Sequence, residues 1–211
     1  MTIASISLTH GEPELLAGAR SYIYQLFAGA FAFPDDRLCE QLASGAWFEN
    51  LAALSRHLPH QLALEPPPEV VPDALREAYV SVFEVGPGKP YCPLYEGSHR
   101  SGRMKLMEEL VRFYEHFGLR TAAGDHPDHL CTELEFMHYL AFKEAAAAAH
   151  GDDVAGLRLA QHDLLDRHLC RWLPRLSKRL AGAPALPSFY LYHVQLVDTF
   201  CREDRVATGA R

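Results

Sequence analysis

The sequence predicts an all-helical protein, folded as a single globular bundle of roughly eight helices. Apolar residues recur at three- and four-residue spacing along most of the 211-residue chain, while runs of alternating β-branched residues are nearly absent. With 48% hydrophobic and 22% charged residues, the composition is that of an ordinary globular protein with a sizeable core.

The first helices are predicted from apolar spacing and from the residues that end or begin a helix. A first helix runs from about Glu12 to Phe33, because Pro34 disfavours helical geometry in the residue before it. Asp35 or Asp36 then caps a short second helix.

A proline-rich stretch follows a segment at about residues 46–58. The three prolines at 66–68 cannot donate backbone hydrogen bonds and favour an extended strut. We therefore expect one domain, residues 1–211, with a possible hinge at 59–72.

The middle of the chain contains a long loop between two predicted helices. A helix covers residues 73–84, and residues 85–97 form a loop with three glycines and three prolines. A loop of this length in a compact domain is more often functional than not. The next helix ends at Gly118 and has an apolar stripe formed by Met104, Met107, Leu110, Val111, Tyr114 and Phe117.

Three more helices complete the prediction. One starts near Asp125 or His126 and continues to His150. A second covers residues 157–176, with a kink or break at its proline, and a last helix covers residues 187–202.

The charge of the chain limits its partners. Lys and Arg number 20 against 27 Asp and Glu, which gives a net charge of −7. This balance argues against nucleic acid and anionic membranes and suits a basic peptide. The first eleven residues contain no Lys or Arg and no apolar stretch long enough for a signal peptide, so we expect a cytoplasmic protein without membrane insertion.

Polar residues cluster at the start of the predicted helix that ends at His150. His129 and Glu133 are four residues apart, and Glu135 and His138 have the Glu-x-x-His spacing of di-iron bundles. These four residues define one alternative, a metal-dependent helical enzyme. In the other, Asp128 is a capping carboxylate near unpaired backbone amides and His129 is a solvated neighbour. The five cysteines form no close pair, and we expect buried free thiols.

Aromatic residues continue from the predicted helix at 73–84 into the long loop. Tyr79, Phe83, Tyr91 and Tyr95 have a placement that suits an apolar groove for a peptide. Taken alone, Phe83 is more typical of ordinary core.

Six segments of the chain match, in order, the motifs of one known protein family. They are RSYIYQLFAGAFAFP (20–34), YVSVF (79–83), KPYCPLYEGSH (89–99), DHPDHL (125–130) followed by ELEFMHYLAF, HLCRWLPRL (168–176) and SFYLYHVQL (188–196). The sequence therefore resembles the TorD/DmsD/NarJ family of cytoplasmic molybdoenzyme maturation chaperones, also called redox enzyme maturation proteins. Val82 replaces the family's leucine, Asp125 replaces the signature glutamate, and Pro127 directly precedes Asp128. This pattern is closer to the NarJ-like and dehydrogenase-associated branches.

The resemblance implies a chaperone that is not an enzyme and needs no cofactor of its own. Its partner would be the molybdopterin-containing catalytic subunit of a DMSO-reductase-family oxidoreductase. The chaperone would bind the N-terminal leader of that subunit, often of the twin-arginine type, or its apo form, and assist cofactor insertion before export. A monomer and a domain-swapped dimer are both compatible with the sequence.

The resemblance also implies a peptide-binding site. The apolar part of the leader would lie in a groove, and its arginines would meet carboxylates. His129 would order the loop at 85–97 against the peptide. The groove residues are Tyr79, Val82, Phe83, Pro90, Tyr91, Pro93 and Tyr95, and the carboxylates are Glu96, Asp125 and Asp128.

Overall fold

The computed structural model describes residues 12–60, 62–65, 70–121, 126–183 and 186–209, and these form a helical bundle without a β-sheet. The prediction of an all-helical fold is confirmed. The prolines at 66–68 and Asp125 lie outside the described residues. The α-helices are α1 (Glu12–Ala30), α2 (Asp36–Ala43), α3 (Ala46–Ser55), α4 (Pro72–Ala78), α5 (Arg103–His116), α6 (Leu130–His150), α7 (Ala155–Leu164), α8 (Cys170–Leu180) and α9 (Ser188–Gly209).

Residues close to the helix ends determine where α1 ends and where α2 begins. Helix α1 ends at Ala30, three residues before the predicted end, in a tight turn that leads into Pro34. Asp35 caps α2 as predicted, because its Oδ1 accepts a hydrogen bond from the Leu38 amide at 2.8 Å.

Two helices continue into wide π turns, which apolar spacing did not predict. Helix α4 continues as the π-helical segment Tyr79–Glu84, where the Val85 amide donates to the Val80 carbonyl five residues earlier, at 2.8 Å. Helix α7 joins α8 through a second π segment, Leu165–Leu169. Of the kink or break that we predicted at Pro174, the break is wrong, since α8 continues through this exposed proline and the irregular turn lies before it.

Each of the nine described α-helices contributes buried apolar side chains to one core, in which α1 and α6 pack along each other. Helices α1 and α6 run antiparallel, since Cys131 Sγ lies 3.4 Å from the Ala28 carbonyl and Ser21 Oγ lies 2.8 Å from His138 Nδ1. Apolar burial of this kind is the main stabilising contribution to the fold. The largest side chains with almost no exposed surface are Trp47, Trp172, Tyr24, Tyr190, Phe27, Phe31 and Phe189.

The buried face of α5 differs in part from the predicted stripe. Leu110 and Tyr114 are buried as expected, but the Met104 side chain is 79% exposed and Leu106 is buried instead. Apolar residues occupy more than one face of α5, so packing against the rest of the bundle selects the buried face.

A buried network of charged side chains joins α1 to α6 and α9. The Arg20 guanidinium lies 2.8 Å from Glu144 Oε2 and 3.0 Å from Asp204 Oδ2. Asp204 also accepts a hydrogen bond from the Tyr24 hydroxyl at 2.6 Å, and Gln161 bonds to both Arg20 and Glu144. The network connects residues that are more than 100 positions apart in the sequence.

Three cysteines, Cys39, Cys92 and Cys201, are buried, and all five thiols are free. Burial raises the pKa of Cys92 and of Cys131 to about 12, so these thiols are poor nucleophiles. In the part of the chain that the structure describes, no helix combines the length and the apolar character that a membrane crossing requires.

We predict that His193 makes stability depend on pH. Its ring is buried, 4.5 Å from the Trp47 ring between centroids, and burial lowers its pKa from 6.5 to about 4. The unfolded chain therefore binds more protons below pH 6.5, so the free energy of unfolding falls as pH drops from about 6.5 towards 4. The expected contribution is about 3 kcal/mol.

Urea denaturation between pH 4 and pH 8 measures this effect. His193→Leu should remove this part of the slope, whereas the same change at the exposed His57 should leave it in place. An identical slope in the His193 variant and the parent would contradict the assignment.

Candidate functional site

The long loop and the Asp-His motif lie side by side. The main chain around Tyr95 pairs antiparallel with that around His129. The Leu130 amide donates to the Leu94 carbonyl and the Glu96 amide donates to the Asp128 carbonyl, each at 2.8 Å. Two segments more than 30 residues apart in the sequence are thus held together by their backbones.

Asp128 fixes the turn that follows this pairing. Its side chain is fully buried, and Oδ2 accepts a hydrogen bond from the Gly97 amide at 3.2 Å. A Cβ atom at Gly97 would lie 2.9 Å from the same oxygen, so the close approach requires glycine. Arg103 Nε lies 3.7 Å from Oδ2, while Oδ1 has no hydrogen-bond partner. Asp128 therefore already has a cation and a backbone donor beside it.

His129 caps α6 and contacts the Tyr95 ring. Its Nδ1 accepts a hydrogen bond from the Cys131 amide at 3.2 Å, and its ring lies edge-on to Tyr95 with centroids 5.0 Å apart. His126 packs against the same ring at 5.1 Å. Two imidazoles thus hold the half-buried Tyr95 ring in place.

An acidic and aromatic surface extends from Tyr95 towards the π-helical segment. Burial, and then the carboxylates of Asp128 and Glu84, raise the pKa of the Tyr95 hydroxyl. Glu84 is exposed, and it also helps to raise the pKa of Tyr79, after burial and Cys131. The Phe33 ring, half exposed, packs edge-on against Tyr79 at 5.6 Å. We call this the Tyr95 surface; its members are Phe33, Glu84, Tyr95 and His126, and the buried Tyr79 packs against Phe33.

Glu96 lies inside the protein and is already paired. Its carboxylate forms an ion pair with Arg100 and lies 2.8 Å from His168 Nδ1. Behind it, Glu133 accepts a hydrogen bond from Trp172 Nε1 at 3.2 Å. Burial, together with the negative charge of Glu96, raises the pKa of Glu133 well above its usual range. Both carboxylates of this acidic cluster are fully buried in the interior.

The predicted groove residues are divided among three locations. Tyr95 is half-buried at the Tyr95 surface, and the buried Tyr79 packs against Phe33 of the same surface. Val82 and Phe83 lie in the core, where Phe83 packs edge-on against Tyr190 at 5.0 Å. Tyr91 lies against the end of α8 instead, with its hydroxyl 2.8 Å from the Gly182 carbonyl and its ring 5.8 Å from the Arg179 guanidinium.

Of the two predicted loop prolines, Pro93 is buried and its carbonyl lies 2.7 Å from His99 Nε2, while Pro90 is half-buried. Sequence reasoning missed Phe33, Glu84 and Arg103 as residues near the site. Glu84 could be placed beside Tyr79 only by a π turn, because ordinary helical spacing puts residues five apart on different faces.

The four candidate metal ligands have separate partners. Glu133 bonds to Trp172, His138 Nδ1 lies 2.8 Å from Ser21 Oγ, and His129 caps its helix. Glu135 is exposed. Among the described residues, no three His, Cys, Asp or Glu side chains are grouped so that they could hold a metal ion.

Comparison with known proteins shows which class of protein this chain resembles. The chain is 38% identical over 182 residues to the selenate reductase assembly chaperone protein of Thauera selenatis, covering 84% of this chain and 83% of that one. It is 42% identical over 112 residues to the chlorate reductase assembly chaperone protein of Ideonella dechloratans, covering 51% and 58%. It is 30% identical over 194 residues to the perchlorate reductase assembly chaperone protein of Dechloromonas aromatica, covering 86% of each. Each of these three relatives is an assembly chaperone protein for a reductase.

The nitrate reductase delta subunit profile matches residues 41–178, about two thirds of the chain. The chain therefore belongs to the nitrate reductase delta subunit family of redox enzyme maturation proteins. The family resemblance that the sequence motifs indicated is confirmed.

Proposed function

We propose that this protein is a cytoplasmic assembly chaperone for the catalytic subunit of a molybdopterin oxidoreductase. It binds the N-terminal leader of that subunit, of the twin-arginine type, or its apo form, and assists cofactor insertion before export. The observation that carries the proposal is the 84% coverage by a selenate reductase chaperone, since selenate, chlorate and perchlorate reductases are molybdoenzymes.

The Tyr95 surface supports the leader-binding part of the proposal. Glu84 offers an exposed carboxylate for a charge-assisted hydrogen bond with an arginine, near the half-buried Tyr95 ring, which can stack on a guanidinium. Phe33, which packs against Tyr79, adds exposed apolar surface beside them. A net charge of −7 favours the approach of a basic peptide.

Asp128 and His129 act as positioning residues in this proposal. Asp128 holds the Gly97 turn, and His129 packs against the ring of Tyr95. Neither needs to touch the peptide, because both fix the tyrosine that does.

We predict that Glu84→Gln weakens binding of a synthetic twin-arginine leader by about 1–2 kcal/mol at low salt, because a charge-assisted contact becomes a neutral one. Calorimetry measures this affinity, and the difference from the parent should shrink at high salt, where exposed charges are screened. Apolar burial should give a negative heat-capacity change.

Glu40→Gln is the matched control, since it removes one exposed carboxylate from α2 and gives the same net charge. It should bind like the parent. Equal affinity in both variants would remove Glu84 from the site, and a leader that binds no better than its scrambled version would overturn the proposed function.

A further inference from the structure

Helix α8 concentrates positive charge on its exposed side. Its 11 residues include four cationic side chains and no Asp or Glu, in a chain whose net charge is −7. Its tryptophan and its three leucines are all buried, so the remaining side of the helix is turned to solvent. The spacing of four and three residues places Arg171, Arg175 and Lys178 on that exposed side. With Arg179, these residues form what we call the cationic face of α8.

Most of this positive charge is not neutralised within the protein. Among the described residues, Arg175, Lys178 and Arg179 form no ion pair with a carboxylate. Arg175 Nη1 instead donates a hydrogen bond to the His99 carbonyl at 2.8 Å, which fixes the position of its guanidinium. Burial, and then the charges of Arg179 and Arg175, lower the pKa of His99, against an opposing hydrogen bond to a backbone carbonyl. The positive charge of α8 therefore acts on the neighbouring loop as well.

The cationic face is distinct from the Tyr95 surface but shares a loop with it. No member of the Tyr95 surface belongs to α8. The loop that supplies Tyr95 contacts α8 through the Tyr91 ring and through His99, which stacks on Trp172 with centroids 5.5 Å apart. Four residues of chain span at most about 14 Å, so the backbones of Tyr91 and Tyr95 lie no further apart than this. Arginines of a leader are attracted to Glu84 and repelled by α8, so the cationic face suits a ligand of the opposite charge.

The chemistry of the cationic face favours carboxylates of a protein partner. Three of its four cations are arginines, whose planar guanidinium groups fit carboxylates through two parallel hydrogen bonds. A membrane suits this face less well, because interfacial helices insert large apolar side chains into the lipid and those of α8 are buried in the core. A net charge of −7 also opposes the approach of anionic lipid and of nucleic acid.

We propose that the cationic face of α8 binds a carboxylate-rich segment of the apo catalytic subunit that lies outside its leader. The inference rests on the proposed function and gives the body of the client a docking surface of its own. The opposite charges of the two surfaces also fix the orientation of the client, because the basic leader and the acidic segment are each repelled by the wrong surface.

The test uses the apo catalytic subunit whose leader binds the parent, produced without that leader. Arg175→Glu combined with Lys178→Glu should weaken its binding about ten-fold or more at low salt, since two attractive charges become repulsive. The loss should shrink at high salt. The isolated leader should bind this double variant at least as well as the parent. Surface plasmon resonance measures both affinities, and circular dichroism checks that the variants are folded.

Two further variants separate the cationic face from net charge and from folding. Arg37→Glu combined with Arg56→Glu changes two exposed arginines elsewhere, gives the same net charge and should bind the leaderless subunit like the parent. Lys178→Glu alone should give a smaller loss in the same direction as the double variant. It leaves the hydrogen bond of Arg175 in place, so a distorted loop cannot explain that loss.

Each outcome supports or overturns the inference. Equal binding of the leaderless subunit by the parent and the double variant would overturn the inference and leave the proposed function standing, as would an equal loss in the control pair. A leader that does not bind the parent would overturn the proposed function, and the inference with it. A parent that binds vesicles of equal parts phosphatidylserine and phosphatidylcholine, or forms a dimer by light scattering, would overturn the inference if the double variant loses only that property.

Discussion

Arg20→Met is expected to lower the free energy of unfolding by about 3–5 kcal/mol. The guanidinium is buried between Glu144 and Asp204, so its removal leaves two carboxylates in the interior without their shared cation. Although burial opposes ionisation, the charge of Arg20 and hydrogen bonds from Arg158 and Gln161 hold the pKa of Glu144 below its usual value. Without Arg20, the ionised form of Glu144 loses most of this stabilisation.

Urea denaturation measures the change, with Arg202→Met as the control. Arg202 pairs with Asp198 one turn away on α9, but more than half of its side chain is exposed, so its removal should cost less than about 1 kcal/mol. A loss below 1 kcal/mol for Arg20→Met as well would show that the buried network contributes little to stability.

Phe83→Ala is expected to destabilise the protein by about 3–5 kcal/mol, which corresponds to a fall in Tm of roughly 6 to 20 °C for a chain of this size. The ring is 2% exposed and packs edge-on against Tyr190 and Tyr79, with centroids 5.0 and 5.4 Å away. Truncation would leave a cavity among aromatic rings. Leader affinity should be unchanged at temperatures where the variant is folded, because Phe83 has almost no surface to offer.

Tyr91→Ala is the comparison variant for Phe83→Ala, because both residues were predicted to line the peptide groove. Tyr91 is 40% exposed and holds the loop to the end of α8 through one hydrogen bond, so its truncation should cost far less stability. Scanning calorimetry measures both variants. If the fully folded Phe83→Ala variant binds the leader more weakly than the parent, Phe83 belongs to the peptide groove. That result would contradict its assignment to the core.

Much of the fold followed from local chemistry that acts within a few residues. Asp35 caps α2 through its own carboxylate, and Gly118 and Gly151 follow α5 and α6 with φ of 73° each, a conformation that favours glycine. The exposure of Met104 could not be predicted in the same way. Which apolar face of α5 is buried depends on helices that are distant in the sequence.

The candidate site also combines features that the sequence predicted with features that depend on the folded structure. Tyr95 and Asp128 were both selected from the sequence, and the structure places them in adjacent segments. Their burial was not predictable, because the depth of Asp128 depends on the Gly97 turn that folds over it. The location of Glu84 beside Tyr79 required a π turn, for which apolar periodicity carries no signal.

The π-helical segment Tyr79–Glu84 also restricts where the chain can change its length. Deleting one residue from it would convert the wide turn to an ordinary helical turn, and the residues on either side would rotate relative to each other by about 100°. Glu84 would then leave the neighbourhood of Tyr95, and Val82 and Phe83 would leave the core. In a lineage that keeps this surface, insertions and deletions are therefore expected in the exposed stretch at residues 87–89 and not in the helix before it.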